Sequence, residues 1–288
     1  GLKTTATFSG GTTGVTATVA KTTTGAGGYM LNDPTGRDNT ATTGDKLASV
    51  SGVKPISGWK SSLTLSDART LAHNRGTGWE VIDFLTASAL QLLYLIEYAS
   101  FNSQAMLGNG VLSVTDDSAT NMGVFTGQTD ALGNASGSAT GNTHYQTAQA
   151  ANSITYRGVE DFFGNLWEWT DGINIKADYK PWIADHGFAS DVFAHPYVDS
   201  GLTLCATNGY VTDIATDADN DYGFLASAVG GSASAKLCDY YYRNTGNRAA
   251  LRGGAWSFGT DGGAFCWNLS NAASSSYRAV GARLAFVG

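Results

Sequence analysis

The sequence predicts an α+β fold in which two helices precede a region of short strands and long loops. Glycine occurs 37 times, proline 4 times, and charged residues make up only 14% of the 288 residues. This composition favours tight turns and β structure over surface helices. Helical spacing of apolar residues occurs only before Gly108, and the segments beyond it are short and suited to strands. With 42% hydrophobic residues, the chain is large enough to bury a core.

The first 45 residues differ from the rest and predict a small β segment. Residues 1–44 contain 14 Thr and 9 Gly. β-Branched runs lie on either side of Ser9-Gly10-Gly11, which indicates a hairpin turn. We therefore expect residues 1–45 to form a Thr/Gly-rich β segment that packs on the main domain, residues 46–288, or on a neighbouring chain.

Capping residues predict both helices. Ser66 is expected to cap the first helix, over residues 67–75, and Gly76 to stop it. The second helix is expected to be capped by Thr86 or Ser88. Apolar residues surround its helical stripe, so we expect it to be buried on most sides.

Charge and cysteine usage exclude several classes of protein. The formal net charge is −7, and no Lys/Arg cluster offsets it locally, which argues against nucleic acid as a partner. No apolar run approaches 18 residues, so no transmembrane helix is expected. Cys205, Cys238 and Cys266 are odd in number and widely spaced, which fits neither a disulfide framework nor a zinc site. We predict no cofactor and no metal.

One acidic segment has part of the pattern of a calcium loop. Asp217, Asp219 and Asp221 occupy alternate positions. However, Tyr222 stands where an EF-hand loop requires Gly, and Ala228 where it requires a bidentate Glu. The prediction is a polar turn.

Three motifs carry a family resemblance. They are "GNLWEW" within residues 156–172, "LRGGAW" and "VGARLAF", and together they resemble the C-type lectin fold in its formylglycine-generating-enzyme subtype. The matching residues are Gly164, Asn165, Leu166, Glu168, Trp169, Arg252, Gly253, Gly254, Trp256, Gly281 and Arg283, while Ala255 and Ala282 depart from the pattern. The likeness spans about residues 55–288. It implies two helices, small twisted antiparallel sheets and long loops, with an insertion at about 176–235.

The resemblance does not extend to the enzyme's site. That family uses a cysteine pair to bind copper, since thiolates select this metal. Here Phe258 stands where the first cysteine is expected, and Cys266 is alone. The four histidines have no metal-ligand spacing; they are His73, His144, His186 and His195. We therefore expect a protein that is not an enzyme.

Four carboxylates are candidates for the acid and base of a glycoside hydrolase. They are Glu160, Asp161, Glu168 and Asp171. Their separation cannot be read from the sequence. Glu168 belongs to the fold motif, and we predict that it makes a structural hydrogen bond or ion pair.

A second branch of the same fold fits better. The C-terminal stretch, about residues 251–286, resembles the variable region of the phage- or prophage-type variable proteins of diversity-generating retroelements. The resemblance implies a ligand-binding surface, and Asn268 and Asn271 as unaltered template residues. The predicted surface residues are Ser257, Phe258, Thr260, Asp261, Cys266, Trp267, Ser270, Ser276, Tyr277, Arg278 and Ala279. The predicted fixed core is Trp256, Phe265, Leu269, Leu284 and Phe286, with Gly253, Gly254 and Gly281 supplying turns.

The resemblance implies an adhesin or receptor-binding protein on a phage tail tip or a bacterial surface. Its partner would be a cell-surface protein or glycan. The protein itself can form a homo-oligomer. Two alternatives stay open: an oxidase of the formylglycine-generating type, and a structural phage tail component. Trp267 and Tyr277 can also be core residues rather than surface anchors.

Overall fold

The computed structural model describes residues 4–9, 16–17, 39–42, 44–49, 51, 55–58, 62–115, 123–139, 151–234, 237 and 239–287. Over these residues the fold is α+β, as predicted: mostly sheet, with three α-helices and one large curled sheet. The helices are α1 (Leu65–His73), α2 (Phe84–Tyr98) and α3 (Ser103–Leu107). The strands are β1 (Thr4–Ser9), β2 (Thr16–Ala17), β3 (Lys46–Ser49), β4 (Trp79–Val81), β5 (Gly137–Ser138), β6 (Ile154–Tyr156), β7 (Val159–Glu160), β8 (Trp167–Ile175), β9 (Pro181–Ile183), β10 (Val198–Asp199), β11 (Gly209–Ile214), β12 (Ala226–Val229), β13 (Tyr240–Arg243), β14 (Arg248–Arg252), β15 (Trp267–Asn271), β16 (Val280–Ala282) and β17 (Leu284–Phe286).

The first helix begins two residues earlier than predicted. Its N-cap is Thr64, whose hydroxyl accepts a hydrogen bond from the Asp67 amide, while the Asp67 carboxylate accepts one from the Thr64 amide. This reciprocal capping box satisfies two amides at once, which a cap at Ser66 cannot do. The helix ends at His73, also before the predicted boundary.

The second helix is capped by Asp83, not by Thr86 or Ser88. The Asp83 carboxylate accepts hydrogen bonds from both the amide and the hydroxyl of Thr86. The helix is buried on most sides, as expected, except for one exposed face that includes Leu93 at 53% and Ile96 at 81% exposure. The short helix α3 was not predicted; at five residues it is too brief to show a helical period.

The N-terminal segment contributes strands that join the main domain. Strands β1 and β2 pair antiparallel, as the predicted hairpin requires, although residues 10–15 between them lie outside the described residues. β1 also pairs antiparallel with β3, where Leu47 is fully buried. The β segment and the main domain thus share a sheet.

The largest sheet is neither small nor purely antiparallel, which corrects that part of the prediction. Its order is β10-β9-β8-β14-β15-β13-β11-β12, and β16 pairs with β8 as a ninth strand. β8 is buried at all nine positions. β14 pairs antiparallel with one edge of β8, so β16 pairs with the other edge. The β16–β8 pair is parallel, and so is the β13–β15 pair.

The stretch at 176–235 is more than a loop insertion. It supplies β9 and β10 at one end of the large sheet, and β11 and β12 at the other end. Both ends of the sheet therefore depend on it. None of the helices formed by the described residues is long and apolar enough to cross a membrane.

Candidate functional site

The turn before β8 is held by two motif residues with left-handed backbone. Gly164 has φ +79°, and a Cβ there would lie 2.9 Å from the Val111 carbonyl oxygen, so only glycine fits. Asn165 has φ +67° and is fully buried. Its side-chain oxygen accepts from the Val124 amide at 2.9 Å, and its Nδ2 donates to Asp161 at 2.8 Å.

Behind this turn, the three motifs meet in one buried ionic network. Glu168 accepts from Arg252 at 2.8 Å and from Arg283 at 2.7 Å, and all three side chains are at most 5% exposed. Arg283 also donates to the carbonyl oxygens of Glu160 and Asp161. Burial lowers the pKa of Arg252, and the Glu168 charge opposes this effect. The prediction of a structural ion pair at Glu168 is confirmed.

The other three carboxylates are also engaged within the fold. Glu160 accepts from the amides of Gly127 and Thr129, each at 2.7 Å. Asp171 receives two hydrogen bonds from the guanidinium of Arg69, at 2.8 and 2.9 Å. Asp161 holds Asn165, as described above. Each group therefore has a structural partner that accounts for its position.

The core prediction holds for its central residues and is wrong at its end. Trp256, Phe265 and Leu269 are at most 1% exposed. Leu284 is only partly buried, and Phe286 is 61% exposed. Phe286 is the last residue of β17, an edge strand of the two-stranded β4–β17 sheet, and its ring packs on the Trp79 ring at 5.2 Å.

Residues 257–265, the C-terminal loop, follow two left-handed glycines and form the first part of the candidate surface. Gly253 and Gly254 have φ values of +90° and +82°. From α3, Gln104 Nε2 donates to the carbonyl oxygens of Gly259 at 2.9 Å and Gly262 at 2.7 Å. The Gly259 amide in turn donates to the Leu112 carbonyl at 2.7 Å.

Three further buried contacts hold the second half of the C-terminal loop. The Ala264 carbonyl accepts from Gln91 of α2 at 2.6 Å, and its amide donates to the Ser103 hydroxyl at 2.9 Å. The Phe265 amide donates to the Asp239 carboxylate at 3.0 Å. All of these bonds, like those of Gln104, use main-chain atoms of the loop, so they do not depend on its side chains.

The side chains of the C-terminal loop face two environments. Ser257 and Thr260 are exposed. Phe258 is partly buried, with its ring 4.9 Å from the Trp167 ring in an edge-on contact. Asp261 is partly buried.

The second part of the candidate surface is residues 276–279. Tyr277 is 53% exposed, and the Arg278 guanidinium lies 5.7 Å above the Trp256 ring. The Ala279 carbonyl accepts from the Trp167 amide at 2.9 Å. Since the Trp167 ring contacts Phe258, this tryptophan joins the two parts. Ser276 is partly buried, and its hydroxyl accepts from the Leu63 amide at 2.8 Å, so it anchors the segment.

Three predicted surface residues do not lie on this face. Cys266 and Trp267 are at most 1% exposed, which contradicts their assignment to the surface. The reason is that β15 begins at Trp267, in the middle of the large sheet, where it pairs with both β13 and β14. Ser270 is partly buried at the far end of β15, and its hydroxyl donates to buried Asn268. The surface assignments of Cys266 and Trp267 are therefore wrong.

Sequence reasoning missed three tyrosines beside the C-terminal loop: Tyr210 of β11 and Tyr240 and Tyr242 of β13. The hydroxyls of Tyr210 and Tyr242 donate to the two carboxylate oxygens of Asp261 at 2.5 and 2.9 Å. Burial first, and the hydrogen bond to Asp261 second, raise the pKa of Tyr210. The run Tyr240-Tyr241-Tyr242 was the available signal, because alternation on a strand places its first and third residues on one face.

Within the described ranges, no group of three or more His, Cys, Asp or Glu side chains is arranged to hold a metal ion. The Asp217 carboxylate accepts hydrogen bonds from the amides of Asp219 and Asn220, as expected of a polar turn. His144 and Cys238 lie outside the described residues.

A comparison with models of known protein families finds no match to this chain, and a search of curated proteins finds no significantly similar sequence.

Proposed function

We propose that this chain is a non-catalytic ligand-binding protein with a C-type lectin fold of the formylglycine-generating-enzyme subtype. Its binding face consists of Ser257, Phe258, Thr260 and Asp261 of the C-terminal loop and of residues 276–279. In this proposal the face is diversified by a retroelement, and the protein is an adhesin that attaches a phage tail tip or a bacterial surface to a protein or glycan ligand.

One observation carries the proposal. The hydrogen bonds that Gln91, Ser103, Gln104 and Asp239 make to the C-terminal loop all end on its main-chain atoms. A loop fixed in this way keeps its shape when its exposed side chains change, because those side chains make none of these bonds. A surface that must accept many sequences requires that the bonds which fix its backbone do not involve its variable side chains.

The motif residues support the fold assignment. Glu168, Arg252 and Arg283 come from three distant parts of the sequence and converge on one buried network. Trp169, from the first motif, is fully buried and donates through Nε1 to the Leu63 carbonyl at 3.1 Å. These residues of the resemblance are thus buried in the interior.

The proposal is tested by two matched libraries of the full chain. One randomises Ser257, Thr260, Tyr277 and Arg278, and the other randomises Ala250, Leu251, Phe265 and Leu269, which are all buried. We expect most members of the first library to resist protease and nearly all of the second to be degraded. If both libraries lost the same fraction of protease-resistant members, the proposal of a variable surface would be contradicted.

The diversification claim has its own test in the neighbouring DNA. We expect a near-copy of the 3′ coding segment that differs at template adenines, beside a reverse-transcriptase gene. Without that arrangement the retroelement part of the proposal fails. The binding part is then decided by attachment to target cells, which changes at Tyr277 and Arg278 should abolish while leaving stability intact.

A further inference from the structure

Four aromatic rings form a continuous row between the proposed face and the strands β11 and β13. Tyr210 and Tyr240 are 5.0 Å apart between ring centroids, Tyr240 and Tyr242 4.5 Å, and Tyr242 and Phe258 5.9 Å. All four side chains are partly exposed. This aromatic row runs from the large sheet onto the C-terminal loop, and only Phe258 belongs to that loop.

The carboxylate of Asp261 lies beside the aromatic row. Its oxygens accept from the hydroxyls of Tyr210 and Tyr242, and the Tyr210 hydroxyl also contacts the exposed Thr260 hydroxyl at 3.0 Å. Within the described part of the chain, no Lys, Arg or His forms an ion pair with Asp261. The two phenols fix the direction of the carboxylate but leave its negative charge unbalanced.

We propose that the aromatic row and Asp261 form a subsite for an arginine side chain of a protein ligand. The proposal rests on the proposed binding function and deepens it, since it selects a protein over a glycan. It also extends the binding face to Tyr210, Tyr240 and Tyr242, which lie outside the C-terminal stretch.

Charge and shape favour this occupant. The faces of tyrosine rings attract cations, and a guanidinium both stacks on such rings and pairs with a carboxylate through two parallel donors. The chain as a whole carries a net charge of −7, which attracts a cationic partner. Tyrosine and arginine are enriched among the residues that dominate interface energies.

The test is an NMR titration of the full chain carrying ¹³C-labelled tyrosine rings. The probes are N-acetyl-arginine amide, its neutral isostere N-acetyl-citrulline amide, and methyl glucoside. We expect the arginine probe to shift the signals of Tyr210, Tyr240 and Tyr242 saturably, with a Kd on the order of millimolar. The citrulline probe should bind at least about 5-fold more weakly, because it lacks the charge.

The variant Asp261→Asn removes the charge, keeps an acceptor oxygen for one tyrosine hydroxyl, and offers an amide N–H that the oxygen of the other hydroxyl can accept. We expect this variant to bind the arginine probe about 5-fold more weakly or worse. The tyrosine signals of the variant without probe show whether the site is intact. The matched control is Asp213→Asn, an exposed carboxylate on β11, which should leave the titration unchanged. Equal binding by Asp261→Asn, or stronger shifts of the same signals with methyl glucoside, would overturn the proposal.

The outcome is separable from that of the proposed function. Protease resistance of the surface library reports whether the face tolerates change, whatever ligand it takes. If the face tolerates substitution but the arginine probe does not shift the tyrosine signals, only the subsite proposal is rejected. An intolerant face would reject the proposed function even if the tyrosines bound the probe.

Discussion

Two neighbouring regions of the molecule are held in opposite ways. In the Glu168 network, the side chains of Arg252 and Arg283 share one carboxylate, and Arg283 also donates to two carbonyl oxygens. In the C-terminal loop, Gln104 and its neighbours bind main-chain atoms, and the side-chain hydrogen bonds from Tyr210 and Tyr242 to Asp261 come in addition. The network therefore depends on the identity of its side chains. Most of the hydrogen bonds that hold the loop depend instead on the position of its backbone. The difference shows how one fold can combine a fixed interior with a face whose sequence is free to change.

Removal of the shared carboxylate should have the largest effect. Glu168→Gln removes the carboxylate that the buried guanidiniums of Arg252 and Arg283 share, and the loss of one partner of a buried ion pair costs about 3–5 kcal/mol of the free energy of unfolding. Urea denaturation followed by tryptophan fluorescence measures this loss. The control is Glu97→Gln, which breaks the exposed pair with Arg157 and should change the midpoint far less. Similar midpoints for both variants would show that the network is not a major source of stability.

The second-largest effect should be a fall in the free energy of unfolding at alkaline pH. Burial raises the pKa of Tyr197 to about 12, and this tyrosine is 2% exposed. The folded state therefore holds its phenol proton more tightly than the unfolded chain, whose tyrosines titrate near pH 10. The contribution is fully present below about pH 10 and is lost as the pH rises to about 12, by up to about 2 kcal/mol. Tyr197→Phe should flatten the fall of unfolding free energy over this range, and an unchanged slope would refute the assignment.

Loosening of the main-chain contacts should have a smaller and more local effect. Gln104→Leu keeps the size of the side chain and removes two hydrogen bonds to the C-terminal loop, at a cost of about 1–2 kcal/mol. Hydrogen exchange should rise at the Gly259 amide and less at the amides of β8. The exposed neighbour Ala105→Ser serves as the control. Uniform acceleration across the molecule would mean that Gln104 supports the whole fold and not the loop.

The sequence predicted the interior better than the face. Glycines with left-handed φ and the alternation around Trp167 and Trp169 are local signals, and the structure confirms the roles of Glu168 and Trp256. The α+β class also followed from composition and periodicity. The helix caps were misplaced because Ser66 and Thr86 are as good cap residues as Thr64 and Asp83, and only the observed hydrogen bonds distinguish them.

The face was harder to predict because exposure depends on strands that are distant in sequence. Cys266 and Trp267 follow directly after a loop, yet pairing with β13 and β14 buries them. Tyr210 reaches Asp261 across 51 positions, a contact that no local pattern encodes. The insertion at 176–235, expected to be mainly loop, supplies that tyrosine.

The central claim is that the C-terminal loop keeps its backbone path whatever side chains it carries at residues 257, 258, 260 and 261. The direct measurement is amide hydrogen exchange on a chain with Ser257, Phe258, Thr260 and Asp261 all replaced by alanine. We predict that the amides of Gly259, Ala264 and Phe265 stay protected, with any loss matching the change in global stability, because their acceptors are Leu112, Ser103 and Asp239. Selective loss of protection at these three amides, in a chain that is otherwise folded, would contradict the account.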